Sequence, residues 1–214
     1  MQKVGILGGT FDPVHIGHLI IAENAREQAG LDRVIFIPAY IPPHKTEIPV
    51  SAAEHRYRMV QLAIEDNPSL EVSDIELRRS EVSYSVETVE RLKQINPEAE
   101  YYFVIGTDSL MELHTWREPE KLIQMCEFIV VDRPEHNFEQ IKKSDLGLSK
   151  KAKQKLLKHV VLSNPVGISA TDIRHRVAQG RSIKYLVPEE VEQYIKGHNL
   201  YQSNCNQEQE KNRS

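Results

Sequence analysis

A doubly wound, parallel α/β fold is the architecture this sequence predicts, and three observations predict it. Six short apolar runs alternate with longer helical patterns along the chain. Several runs, such as VIFI (34–37) and FIVV (128–131), are continuously apolar, as strands covered on both faces are. The repeated strand–helix–strand order then implies right-handed crossovers and helices on both sides of a parallel sheet.

Taken in order, strand Val4–Leu7 enters a glycine pair and an amphipathic helix over Ile16–Ala29. Strand Arg33–Pro38 is followed by AYIPPHKTEIP (39–49), whose three prolines forbid regular structure, and by a helix over Ala52–Asp66. Strand Leu70–Val72 precedes helix Ser85–Ile95, and strand Tyr101–Ile105 precedes short helices at Ser109–Leu113 and Pro119–Met125. Strand Phe128–Val131 leads into a polar excursion, Arg133–Ser149, and a helix over Lys150–Leu157. A last strand, Val160–Leu162, is followed by helices Ala170–Gln179 and Pro188–Lys196. One domain over 1–201 is expected, without repeat or coiled coil, and the polar stretch 202–214 reads as a disordered tail. Ligands of such sheets bind beyond the carboxyl ends of the strands, so the 39–49 loop is a candidate site element.

The length, 214 residues, suits one sizeable core, and 40% hydrophobic with 27% charged residues is ordinary for a soluble globular protein. Net charge is −4 and no long basic block occurs, which disfavours polynucleotide binding but permits a small anion. The run Lys150–His159 reads as a solvated helix face. Cys126 lies in an apolar segment and Cys205 in the polar tail, so no disulfide is expected and a reducing compartment fits. No signal peptide and no span of about 20 apolar residues is seen, so the expected place is the cytoplasm, away from membranes.

The run GGTFDPVHIGH (8–18) joins the first strand to the first helix. Gly8 and Gly9 permit close backbone approach and φ > 0, Thr10 offers a hydroxyl and an N–H, and Pro13 stiffens the turn. His15 and His18 fall three apart on one face of the opening helical turn, beside a helix end suited to an anion. Neither the Lys-Ser/Thr ending of a P-loop nor G-x-G-x-x-G is present. A metal held by the two histidines is the rival reading, but no carboxylate or cysteine nearby completes a set, so no protein-held metal is expected.

Gly8–His18 resembles the H-x-G-H signature of the adenylyl- and cytidylyltransferase superfamily. Downstream, ISATDIR (168–174) is similar to its second signature, I-S-S-T-x-I-R, with Ala170 where the second serine is usual; no hydroxyl role is placed there. Ser169 and Thr171 start a helical pattern, able to cap it or to donate to a phosphate, and Arg174 lies three residues on, on the same face. The segments PPHK (42–45), VSYSVET (82–88) and GTDSLMELHTW (106–116) resemble bacterial nicotinate-nucleotide adenylyltransferases, and the likeness runs from about residue 3 to 200. The S-Y-T-x-D-T element of that family stands here as Ser83-Tyr84-Ser85-Val86-Glu87-Thr88.

The resemblance implies a Rossmann-like nucleotidyltransferase fold with a short helical C-terminal part. It implies in-line transfer of AMP from ATP to nicotinate mononucleotide, giving nicotinate adenine dinucleotide and pyrophosphate, with Mg²⁺ carried by the ATP phosphates and water. The acceptor phosphate is already ionised, so positioning and charge stabilisation replace a strong base. His15, His18 and Arg174 are the implied catalytic residues, with His18 on the α-phosphoryl oxygen. ATP contacts are implied for Gly8, Gly9, Thr10, Phe11, Gly106, Asp108, Ser169 and Thr171 as well, Asp108 reaching a ribose hydroxyl or capping a helix. For the acceptor, Ser85 offers its backbone to the carboxylate and Trp116, the single tryptophan, either stacks on the pyridine ring or packs in the core. The resemblance further implies that Lys45, with His44 beside it, meets the mononucleotide phosphate or the triphosphate, and that Arg133 meets adenine or phosphate. Transfer to another phosphorylated acceptor is the near alternative and a non-enzymatic nucleotide sensor the distant one; relatives suggest a homodimer.

Overall fold

The computed structural model describes residues 1–42, 50–79, 81–132, 141, 144–162 and 167–202. Six parallel strands form one sheet: β1 (Lys3–Gly9), β2 (Arg33–Pro38), β3 (Leu70–Val72), β4 (Glu100–Gly106), β5 (Glu127–Asp132) and β6 (His159–Leu162). Their order across the sheet is β3-β2-β1-β4-β5-β6. The chain therefore winds outward one way from β1 and returns to wind the other way from β4, and β1 and β4 lie side by side where the direction reverses.

Alternate strand residues feed two cores, which is why the strands read as unbroken apolar runs. Ile35, Ile37, Tyr101, Phe103, Ile105, Phe128 and Val130 face one side. There they meet α3 (Ser85–Ile95), α4 (Thr107–Glu112), α5 (Pro119–Met125) and α6 (Lys150–Leu156). Val34, Phe36, Tyr102, Val104, Ile129 and Val131 face the other. There they meet α1 (Ile16–Ala29), α2 (Ala53–Ala63), α7 (Ala170–Ala178) and α8 (Glu189–Gly197). Phe36, Phe128 and Ile129 are wholly inaccessible, each such side chain stabilising the fold by about 1.5–3 kcal/mol. Gly5 interrupts β1 because a Cβ there would lie 2.9 Å from both Leu31 Cδ1 and Val34 Cγ2. At the end of α1, Gly30 takes the left-handed conformation (φ 62°) and its N–H closes onto Arg26 and Glu27 carbonyls.

The elements match the sequence expectation in kind and differ at their ends. Helix α2 stops at Ala63, three residues before Asp66, and α4 starts at Thr107 and tightens into a 3₁₀ turn at Leu113–Thr115. Strand β1 continues through both glycines, Gly8 opposite Ile37 and Gly9 opposite Pro38, so the turn begins at Thr10. Neither glycine uses φ > 0; the left-handed residue of the turn is Phe11, at φ 51°. Gly9 is needed for another reason: a Cβ there would stand 3.0 Å from the Phe11 ring. Among the described residues, no helix is long and apolar enough to cross a membrane.

Candidate active site

Beyond the carboxyl ends of β1 and β4 opens a cleft of about 380 Å³, inside the range of small-molecule sites, about 300–1,000 Å³. One wall comes from strand ends and a helix start: Gly8, Gly9 and Thr10 of the β1 end, His18 of α1, and Gly106 of the β4 end. The other wall, the loop wall, comes from loops, short elements and the start of α3: Glu76, Ser83, Tyr84, Ser85, Thr88, Trp116 and Arg117.

The strand-end wall is locked by its neighbours. His15 is the N-cap of α1 and His18 its third residue, and their rings stack at 3.7 Å between centroids, 25° from parallel. His15 N–H donates to His18 Nδ1 at 3.2 Å. With Nδ1 accepting, a neutral His18 carries its proton on Nε2, and the imidazole presents a donor. The Phe11 ring, 2% exposed, stands edge-on to His18 at 5.0 Å and fixes its plane. From α7, Arg174 Nη1 donates to the Asp12 carbonyl at 2.8 Å and Nη2 to Thr171 Oγ1 at 3.3 Å. The second motif is thus bound to the first, and the guanidinium has further N–H groups to offer. Ser169 caps α7 by accepting from Asp172 N–H at 3.1 Å, which leaves its own hydroxyl proton available.

The loop wall is a seam between two chain reversals. Ile41 and Val82 form an isolated parallel bridge, Ser83 N–H donates to Ile41 O at 3.0 Å, and Tyr40 N–H donates to Ser83 Oγ at 2.9 Å. Behind the seam Glu76, 8% exposed, accepts from Thr88 Oγ1 at 2.6 Å, and the Ser83 hydroxyl also bonds it. Burial pushes the Glu76 carboxyl above the usual carboxylate range against the pull of those hydroxyls and of Arg79 and Arg56. Ser85 opens α3, whose first N–H groups lack intrahelical acceptors. The Trp116 ring meets Phe103 edge-on at 5.9 Å, and the Arg117 guanidinium lies 4.6 Å over the Tyr84 ring while pairing with Glu87.

Of the residues the sequence singled out, Gly8, Gly9, Thr10, His18, Gly106, Ser85 and Trp116 line this cleft. Phe11, His15, Asp108, Ser169, Thr171 and Arg174 are outside its lining. Asp108 lies in the first turn of α4, whose N-cap is Gly106, so it is not itself the cap. Tryptophan packing and cleft lining turn out to be compatible, since Trp116 does both. His44, Lys45, Arg133 and Cys205 lie outside the described residues. Cys126 is free and buried, and burial pushes its thiol up to about 12.

Three residues that hold the walls in place escaped the sequence reading. Arg56 of α2, 1% exposed, donates to the carbonyls of Thr10, Ala39, Tyr40 and Ser51 at 2.6–3.0 Å. Glu76 and the buried Asp12 complete the set. A single arginine in an amphipathic helix carries no signal that it points inward, and Asp12 was visible only as a member of the turn.

A family model described as cytidylyltransferase-like matches residues 6–176, which takes in both motifs. An Exiguobacterium sibiricum protein named "Probable nicotinate-nucleotide adenylyltransferase" is 46% identical over 205 residues, covering 94% of this chain and 99% of its own. One of the same name from Moorella thermoacetica is 43% identical over 200 residues, covering 93% and 91%. The chain belongs to the nicotinate-nucleotide adenylyltransferases of the cytidylyltransferase-like family. Among solved structures, the Plasmodium falciparum nicotinic acid mononucleotide adenylyltransferase complexed with NaAD superposes with a TM-score of 0.75 at 19% identity, over 94% of this chain and 98% of its own, a likeness of fold. In this adenylyltransferase the wall residues other than Glu76 fall within or beside segments that carry the family's motifs, 8–18, 82–88 and 106–116.

Proposed function

We propose that this chain transfers the adenylyl group of ATP to the phosphate of nicotinate mononucleotide, in the cytoplasm and as a step of NAD biosynthesis. The observation that carries the reading is that one cleft joins a strand-end wall of Gly8, Gly9, Thr10 and His18 to a loop wall holding Trp116, Tyr84 and the start of α3. An acceptor phosphate oxygen attacks the α-phosphorus of ATP and forms a new P–O bond. The bond from the α-phosphorus to the oxygen bridging to the β-phosphate breaks, and its electron pair leaves with pyrophosphate. The other product is nicotinate adenine dinucleotide, and no bond to the protein is made.

The chain's part is to bind, to orient and to meet charge. Gly8, Gly9 and Thr10 let the triphosphate lie against the β1 end, and His18 Nε2–H donates to the α-phosphoryl oxygen as charge builds there. His15 holds His18, while Arg174, Ser169 and Thr171 donate to the phosphates from the α7 side. Gly106 and Asp108 border the nucleoside. On the loop wall, the N–H groups at Ser85 meet the pyridine carboxylate and Trp116 stacks on its ring. His44, Lys45 and Arg133 are assigned to phosphate or adenine. Among the described residues no three histidine, cysteine or acidic groups stand together to hold a metal. The cleft lining offers imidazole, hydroxyl, main-chain N–H and the Arg117 guanidinium as donors, which suit phosphate oxygens, so the nucleotide phosphates and water would hold Mg²⁺, where it would neutralise charge on the leaving pyrophosphate.

The test is initial-rate formation of dinucleotide and pyrophosphate from ATP with nicotinate mononucleotide, set beside nicotinamide mononucleotide. A kcat/KM at least about tenfold higher for the nicotinate form is expected, because only the carboxylate pairs fully with N–H donors. Equal use of the two, or preference for the amide, would contradict the acceptor assignment.

A further inference from the structure

The turn that joins β1 to α1 is pinned from the far end of the chain. Asp12, at the centre of the turn, is 4% exposed. Its Oδ1 accepts from the Tyr201 hydroxyl at 2.7 Å, across 189 residues of sequence, and its Oδ2 accepts from Ser51 N–H at 3.4 Å. Tyr201 adopts a left-handed backbone, φ 63°, a conformation that costs a non-glycine residue and persists only where surrounding contacts impose it. The same C-terminal segment also reaches α1, where Leu186 O accepts the Ile16 N–H at 3.0 Å. Beneath the turn, buried Arg56 bonds Thr10 O and three carbonyls of the 39–51 region. Burial opposes the Arg56 charge, and the largest influence favouring it is the Asp12 carboxylate. Burial and then Asp12 push the Tyr201 hydroxyl far above its usual range, so it stays a donor.

None of Asp12, Arg56 or Tyr201 lines the cleft. They reach the lining at one or two removes: Arg56 holds Thr10, Asp12 follows the Phe11 whose ring stands against His18, and Tyr201 reaches the turn through Asp12, whose carbonyl also accepts from Arg174.

We propose that Tyr201 and Asp12 are positioning residues for adenylyl transfer, forming with Arg56 a buried brace by which the C-terminal segment sets the place of Thr10, His18 and Arg174. The inference rests on the adenylyl-transfer reading above. A displaced turn misaligns groups whose contribution depends on sub-ångström placement at the α-phosphorus. The lesion therefore falls on ATP and on turnover, and spares the acceptor wall.

The experiment compares the parent with Tyr201→Phe, Asp12→Asn and the double variant, measuring kcat, KM for each substrate, ATP affinity by calorimetry without acceptor, and thermal melting. Tyr201→Phe, which removes one oxygen, should lower kcat/KM for ATP roughly tenfold, with KM for nicotinate mononucleotide within about twofold of the parent. The double variant should lose less than the product of the two single losses, because Asp12→Asn leaves one acceptor oxygen for two donors, Tyr201 and Ser51, and so already weakens the bond that Tyr201→Phe removes. The brace is overturned if Tyr201→Phe keeps kcat/KM for ATP within about twofold of the parent, whatever its melting temperature, or if the two losses multiply. An equal rise in acceptor KM also overturns it. If Asp12→Asn does not fold, Tyr201→Phe decides by itself. A parent that makes no dinucleotide counts against the adenylyl-transfer reading alone. The brace is then judged on ATP affinity, expected roughly tenfold weaker in Tyr201→Phe and overturned by an unchanged value.

Discussion

The two walls of the cleft are built by different means. The strand-end wall continues β1 and β4, whose glycines remain in the sheet to Gly9 and Gly106, and its side chains are held by stacking, by Phe11 and by buried charge. The loop wall hangs on one isolated bridge, Ile41 to Val82, and on hydroxyl bonds converging at Glu76. The difference teaches a division of labour. On the proposed reading, a transferring phosphoryl group needs donors whose places are fixed before it arrives, whereas choosing an acceptor calls for main-chain N–H groups and a ring, and a loop seam can present both.

The harshest way to break that comparison is Arg56→Met, because Arg56 bonds both regions, Thr10 on one side and Ala39, Tyr40 and Ser51 on the other. Four carbonyls, that of Ala39 fully buried, lose their shared donor, so urea denaturation should show a loss on the order of 3 kcal/mol or more, with both walls disturbed together. A midpoint shift worth less than about 1 kcal/mol would mean that the staple is dispensable. His18→Ala separates the walls: kcat should fall about 100-fold or more with an unchanged circular dichroism spectrum. Trp116→Ala works on the other side, and acceptor KM should rise roughly tenfold as stacking is lost, with kcat little changed.

The gentlest probe is pH. Burial raises the Glu76 carboxyl above its ordinary value of 4.5, so the folded state holds that proton more tightly than the unfolded chain. The stabilisation is full below the unfolded value and is lost as pH rises through the folded one. Glu76→Gln stays neutral and keeps an acceptor for Thr88. Melting curves between about pH 4 and pH 8 should show the parent losing stability relative to the variant as pH increases. Parallel curves would place the Glu76 proton affinity in the ordinary range.

Much of this molecule is legible in its sequence because its signals are local. Continuous apolar runs are the direct consequence of strands covered on both faces, and all six such runs became strands of one parallel sheet. Gly8 to His18 could be read as a site segment for the same reason, since it carries its chemistry within a few residues, whereas Ser83 to Thr88 stood out only through its likeness to a family motif. What stayed hidden depends on distant partners. Arg56 looks like any surface arginine until four carbonyls from separate loops surround it, and nothing near Asp12 announces Tyr201. The turn showed a different limit. Sequence assigned left-handed freedom to Gly8 and Gly9, but the sheet kept both glycines and passed that conformation to Phe11, whose ring position in turn requires Gly9.

The division between the walls is tested most directly by measuring kcat and both KM values of His18→Ala and Trp116→Ala in one assay with ATP and nicotinate mononucleotide. The account predicts a lesion in kcat for the first with acceptor KM within about twofold of the parent, and a lesion in acceptor KM for the second with kcat within about threefold. The reverse pattern, or equal changes in both constants for both variants, would contradict it.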